Sequence, residues 1–273
     1  MLVDAHVHLY PDPQAGQRAK DGYEIWEYGA GPGVIFCAAP GDPGSLTPYY
    51  DDFDHIVVVN LADAATTRLF NEWAMTVAST NSKLTVLAGI DPSLPGMTAH
   101  LTEMAAAGAR GIKLHPVSQG FVPNDRRLHP IYDLCAGEDL VVLSHSGPGH
   151  RSGASARPGE FAPVLRKWPR LRLVLAHLGG ASWRESAQFA EAFPQVTFDL
   201  SEIIEWTGAP GAPSASELSA LICLIGADRV MLGSDFPWYD PNRTADRVAS
   251  LPGLGSGERA AILGETAARV FRL

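Results

Sequence analysis

Residues 2–9 read LVDAHVHL. Val3, Ala5, Val7 and Leu9 share one parity, and Asp4, His6 and His8 share the other. In an extended strand successive side chains point to opposite faces, so two histidines two residues apart face the same side and can reach one point. A His-X-His arises by chance in roughly a quarter of chains with this histidine content. The pair therefore gains its meaning from position: it ends the first strand, and the rest of the chain repeats that layout.

Seven further apolar runs follow: HIVVVNLA (55–62), LTVLAGID (84–91), ARGIKLHP (109–116), LVVLSHSG (140–147), LRLVLAHLG (171–179), VTFDLSE (196–202) and RVMLGSDF (229–236). They are too apolar for a sheet with one wet face and fit strands covered on both sides. Helical periods separate them. Leu69, Trp73 and Val77 share a face, as do Met97, Leu101 and Met104; Phe161, Val164, Leu165 and Trp168 follow the same spacing, as do Leu218, Leu221, Ile222 and Ile225. After the second strand, centres lie about 25 to 33 residues apart, the length of a βαβ unit. Eight strands alternating with helices predict an α/β fold, a closed (β/α)₈ TIM barrel forming one domain over residues 1–273.

The first connection, 10–54, is the irregular part. It is rich in Gly, Pro and aromatics (Tyr23, Trp26, Tyr28, Phe36, Tyr49, Tyr50), and its YEIWEYG and GVIFCA segments pattern a small hairpin. Leaving strand one, it emerges on the C-terminal face, where barrel enzymes build their sites. Two readings stay open: a replacement for the first barrel helix, and a cap over the site.

Strand four ends in Lys113-Leu114-His115, strand five in Ser144-His145, strand six in Ala176-His177 and strand eight in Ser234-Asp235. Singly, each is explained by a satisfied buried side chain. Together with the His6–His8 pair, they deliver imidazoles and a carboxylate to one barrel mouth, the donor types that zinc and similar ions need.

Bulk properties narrow the partners. Hydrophobic residues make up 46% and charged residues 19% of the 273, an ordinary globular balance, and the net charge of −9 disfavours nucleic acid. Cys37, Cys135 and Cys223 are too scattered for a zinc ribbon or disulfide framework. No apolar run is long enough for a membrane span, and the first strand starts too early for a signal peptide. These features predict a soluble cytoplasmic protein with reduced thiols, acting on a small molecule.

The motifs HVH, SHSG, LAHLGG, LGSDFPW and the closing GETAARVFRL (264–273) together resemble the amidohydrolase superfamily. The likeness is to its amidohydrolase 2 branch, which holds aminocarboxymuconate-semialdehyde-type decarboxylases and assorted hydrolases. It runs the length of the chain, with residues 10–54 the least typical part. The resemblance implies one divalent ion, zinc in the first instance, held by His6, His8, His145 and Asp235, with His177 as general acid/base beside it. Lys113 in GIKLHP is similar to the strand-four lysine that, carboxylated, bridges two ions in other members; a plain ammonium binding a substrate carboxylate, or pairing with Asp4 or Asp235, is the competing reading. His115 is a candidate ligand or substrate contact.

In the loop GPGHRSGASARPGE (147–160), Arg151 is a candidate carboxylate clamp, with His150 and Arg157 nearby, against the plain reading of a solvated loop. TGAPGAPSAS (207–216) reads as a flexible connection. Trp206, Phe236 and Trp238 are candidates for an apolar pocket wall, Trp238 as a substrate contact. The expected function is hydrolysis of an amide, lactone or related carbonyl bond by metal-activated water, with His177 and Asp235 moving protons. The alternatives are decarboxylation of a cyclic or enolic acid in the same site and a non-catalytic binding barrel. A homo-oligomer is compatible with all three.

Overall fold

Eight parallel strands pair strictly in chain order: β1 (Val3–Val7), β2 (His55–Val59), β3 (Leu84–Gly89), β4 (Gly111–Leu114), β5 (Val141–Ser144), β6 (Arg172–Leu175), β7 (Thr197–Asp199) and β8 (Val230–Met231). The computed structural model describes residues 1–22, 28, 36–61, 65–149 and 153–273. Each expected apolar run contains its strand. The ring closes where the Ala5 N–H donates to the Leu232 carbonyl (2.9 Å), Asp235 N–H to His6 O (2.9 Å) and His8 N–H to Phe236 O (2.7 Å). Helices lie between the strands, giving the (β/α)₈ barrel.

Register fixes which side chains face inward. Gly89, Lys113, Leu143 and Val174 lie level on neighbouring strands and so share a face. Leu143 and Val174 cluster with Val3, Ala5, Val57, Val59, Leu87, Val141 and Met231. This apolar plug fills the barrel beneath the mouth, so the interior is packed core with polar side chains above it. Ala267, Val270 and Phe271 of the closing helix Thr266–Phe271 belong to the same cluster.

Strand β1 corrects one expectation. Asp4 pairs with Ile56 but Val7 pairs with Val58, so three residues on β1 span two on β2. That bulge flips the alternation. His6 and His8 face inward as expected, whereas Asp4 falls on the Val7 face. Its carboxylate accepts from the His6 N–H (3.1 Å), the Ser234 N–H (2.9 Å) and the Tyr50 hydroxyl (2.8 Å), tying β1, the end of β8 and the first connection together.

The helix Met97–Ala106 buries Met97, Leu101 and Met104, and Ala215–Ile225 buries Leu218, Leu221, Ile222 and Ile225 behind a Ser214–Glu217 capping box, as their spacing predicts. In the helix Thr67–Ser79, Trp73 and Val77 pack partly against the core, but the most buried face is turned away from Leu69. Leu69 is exposed, and Thr67, Asn71 and Ala74 are buried. Asn71 explains the rotation: its amide donates to Gly89 O (2.9 Å) and accepts from Gly89 N–H (2.8 Å), satisfying the end of β3.

In the first connection, the helix Pro13–Asp21 starts at an Asp12 cap. Most of the expected hairpin, with Tyr23 and Trp26, lies outside the described residues, as do His150 and Arg151. The described aromatics pack: Tyr28 stacks on Trp206 at 5.7 Å and Phe36 on Tyr239 at 5.8 Å. Residues 207–216 are not the loose connection expected. Ala209 and Ala212 are buried, the Gly211 N–H donates to Tyr28 O (3.0 Å), and Gly211 O accepts from the Trp183 indole (3.2 Å). The three cysteines are free, Cys37 and Cys135 buried and Cys223 exposed. No helix among the described residues is long and apolar enough to cross a membrane.

Candidate metal centre

Every strand-end residue singled out from the sequence and described here is buried or half-buried around one mouth of the barrel. The tightest group pairs Asp235 with the two strand-one histidines. One Asp235 oxygen, Oδ1, lies 3.2 Å from His8 Nε2 and 3.5 Å from His6 Nε2. Donors bound to one tetrahedral ion at about 2.0–2.2 Å sit about 3.3–3.6 Å apart, so these spacings fit a shared divalent ion. The buried His8 Nδ1 has no hydrogen-bond partner among the described residues.

The carboxylate reaches this point on a strained backbone. Asp235 has φ +61°, and His177 (+60°), Leu178 (+49°) and Glu202 (+61°) share that left-handed region without being glycine. Each costs on the order of 1–3 kcal/mol, tolerated where surrounding structure over-determines it. Gly233 supplies the room: a Cβ there would meet His6 Cβ at 2.9 Å, Ser201 Cβ at 3.2 Å and Asp199 Cβ at 3.5 Å.

A carboxylate that sequence reasoning missed orients His6. Asp199, at the end of β7 and fully buried, lies 2.9 Å from His6 Nδ1 through Oδ2. An oxygen lone pair cannot face a bare nitrogen lone pair, so Nδ1 carries the hydrogen and Nε2 is left bare toward Lys113 and Asp235. Ser201 Oγ sits 3.0 Å from His6 Nδ1 and 2.8 Å from His177 Nδ1, and donates to Asp199 Oδ1. His177 Nδ1 also faces the Ser201 carbonyl at 3.1 Å, which assigns its hydrogen in the same way. The signal was present in VTFDLSE, whose Asp199 and Ser201 are two apart at a strand end like His6 and His8.

Lys113 also lies inside, 2% exposed, with Nζ 2.9 Å from His6 Nε2. It pairs with neither Asp4 nor Asp235 by hydrogen bond; it donates to the very lone pair an ion would use and must move off it for an ion to bind. Burial lowers its pKa to about 8, against the pull of Asp235, Asp199 and Glu202.

His145 lies one ring further along: its centroid is 4.9 Å from that of His177 and 4.0 Å from that of His115, stacked on it at 9°. Among the described residues, the donor groups within 4.8 Å are His6–His8–Asp235, His6–His177–Asp199 and His177–Glu202–Asp235, so His145 stands outside the tight set. His115 is committed to the backbone, its Nδ1 accepting from the Ser118 N–H at 3.2 Å. Trp238 sets its ring edge-on to His8 at 5.1 Å, bordering the mouth. Trp206 and Phe236 do not: Trp206 donates to the Tyr239 hydroxyl, and Phe236 packs under Tyr49 and Tyr50. Arg157 pairs with Glu185 rather than reaching the site.

Burial keeps the imidazoles neutral. It pushes His145 down to about 3, with Lys113 adding to the effect, and His177 down to about 4, with His145 adding to it. His6 and His8 are lowered by the same desolvation. Burial would raise Asp235, but the hydrogen bond donated by His8 Nε2 outweighs it and holds the carboxylate ionised. His6, neutral with Nε2 bare beside an ionised carboxylate, is already in the state that metal binding requires; His8, which donates from Nε2 to Asp235, reaches it when its hydrogen moves to the unpartnered Nδ1.

Comparison with known proteins places the chain in a family and matches its fold. A curated relative, an L-fucono-1,5-lactonase from Burkholderia multivorans, is 29% identical over 164 residues, 55% of this chain. The match spans about half (49%) of that relative's length. A zinc-bound amidohydrolase structure from the same species superposes with a TM-score of 0.70 at 20% identity, covering 100% of this chain and 99% of the other. A dihydroxybenzoic acid decarboxylase from Polaromonas sp. JS666, bound to manganese and 2-nitroresorcinol, gives 0.74 at 15% identity, covering 100% and 97%. The family model Amidohydro_2, described as Amidohydrolase, matches residues 3–273, and the chain belongs to that family.

Proposed function

We propose that the chain is a metal-dependent hydrolase that opens a lactone or a related carbonyl bond in a small polar substrate. The observation that carries this reading is the Asp235 oxygen held 3.2 Å from His8 Nε2 and 3.5 Å from His6 Nε2. His6, His8 and Asp235 would hold one divalent ion, with His145 the candidate fourth donor. When bound, such an ion polarises a carbonyl and makes water easier to deprotonate. The lactonase relative supports a cyclic ester as the bond cleaved.

The chain's own residues supply the proton path. His177, neutral and with Nδ1 engaged at Ser201, offers Nε2 as the acceptor for the proton of the attacking water. The same nitrogen returns that proton to the ring oxygen as the carbon–oxygen bond breaks, so lactone plus water gives one hydroxy acid. Asp235, ionised, steadies the developing positive charge on His177. Trp238 borders the mouth on the His8 side, where it contacts the apolar part of the substrate. Lys113, off His6, holds a substrate oxygen, and Arg151 would clamp a substrate carboxylate.

The test is metal analysis of purified protein, then a panel of sugar lactones, amides and cyclic or enolic carboxylic acids. Base uptake with a lactone, lost on chelation and restored by zinc, supports the proposal. Release of carbon dioxide from an acid, with every lactone inert, replaces it with the decarboxylase reading.

A further inference from the structure

Asp199 touches both His6 and His177, and its two oxygens do different work. Among the described residues, Oδ2 is hydrogen-bonded to His6 Nδ1 alone, at 2.9 Å. Oδ1 accepts three donors: the His177 backbone N–H (3.0 Å), the Ser201 N–H (3.1 Å) and the Ser201 hydroxyl. The first of these ties down a residue held at φ +60°. Left-handed backbone at a non-glycine is costly, so a buried, charge-assisted hydrogen bond at that N–H stabilises a turn that would otherwise relax.

We propose that Asp199 is a positioning residue for both histidines: Oδ2 fixes the tautomer of His6, and Oδ1 pins the turn that presents His177. The arrangement makes the two histidines dependent on one side chain of β7. It rests on the reading of His6 as a ligand only for its metal arm; the tautomer arm stands without it.

The two oxygens can be separated by one substitution. In Asp199→Asn the amide has one acceptor end and one donor end. Three donors converge on the Oδ1 position and one on Oδ2, so the amide oxygen takes the Oδ1 place and the NH₂ turns to His6. An N–H pointing at His6 Nδ1 makes that nitrogen an acceptor, which moves the His6 hydrogen to Nε2 and blocks the atom facing Lys113 and Asp235. His177 keeps its backbone partner and its tautomer.

The experiment is long-range proton–nitrogen NMR of the histidine side chains in metal-free, ¹⁵N-labelled protein near pH 7.5, with His6 and His177 assigned by difference against single substitutions at each. In the parent protein both must carry the hydrogen on Nδ1; a hydrogen on Nε2 of either overturns the proposal without any variant at Asp199. In Asp199→Asn the His6 pattern moves to Nε2–H while His177 keeps its own, and Zn²⁺ affinity, read by chelator competition, falls about 10–100-fold. A variant in which His6 stays Nδ1–H overturns the tautomer role. A flipped His6 with unchanged Zn²⁺ affinity would leave that role intact and remove His6 from the ligand set, which is a failure of the functional reading instead.

Discussion

Gly233→Ala is the smallest change that reaches the centre. The new methyl would lie 2.9 Å from His6 Cβ, 3.2 Å from Ser201 Cβ and 3.5 Å from Asp199 Cβ. Carbon atoms pack comfortably at about 3.5–4.0 Å, so His6 must retreat by about 0.6–1 Å while Asp199 scarcely moves. His6 cannot retreat freely, because Nδ1 is bound to Asp199 at 2.9 Å and the plug beneath the mouth is close-packed. Overpacking of this kind costs about 1–3 kcal/mol. In a domain this large each kcal/mol shifts Tm by about 2–4 °C, so the metal-free variant should melt about 2–12 °C below the parent. The loss should be larger with zinc present. Ligand positions are tolerated only within about 0.2 Å, so the variant gains less from the ion. Calorimetry of both proteins, with and without zinc, reads the two effects. A variant that melts with the parent and gains the same stabilisation from zinc would refute the claim that His6, Asp199 and Ser201 leave no room there.

Three further substitutions separate the roles assigned to the site. His177→Asn should retain metal near parent stoichiometry while lactone hydrolysis falls about 10²-fold or more; loss of metal with activity would make His177 a ligand. Lys113→Met removes the ammonium from the His6 lone pair, so Zn²⁺ affinity should rise by roughly tenfold, about 1.4 kcal/mol, while KM increases; loss of metal would instead favour a carboxylated, bridging lysine. Tyr50→Phe strips the hydroxyl from the buried Asp4 carboxylate and should cost about 1.5–3 kcal/mol in denaturant unfolding, with no change if Asp4 finds another donor.

The barrel was legible because its strands are buried on both faces and read as unbroken apolar runs, a signal that survives loops of any length. The strand-end residues were legible for the same reason: a polar side chain stands out at the end of an aliphatic run. Asp4 was misplaced because a bulge shifts register without changing composition, so parity counted along the sequence carries one residue too far. Asp199 and Ser201 escaped notice because β7 is three residues long and its polar end looks like a loop. Nothing in LAHLGG or LGSDFPW marks His177 and Asp235 as left-handed, since non-glycine residues adopt that backbone only when tertiary contacts force it. Periodicity gave Leu69, Trp73 and Val77 a common face but not how far it turns toward the core; the hydrogen-bonding needs of Gly89 set that through Asn71.

Whether His6, His8 and Asp235 share one ion decides what this barrel can do. Crystals grown with zinc and measured at its absorption edge answer that directly. A single anomalous peak about 2.0–2.2 Å from His6 Nε2, His8 Nε2 and an Asp235 oxygen, with Lys113 Nζ withdrawn from His6, is the predicted result. No peak, with Lys113 still bonded to His6, would contradict it, as would two peaks about 3.5–4 Å apart bridged by a modified Lys113.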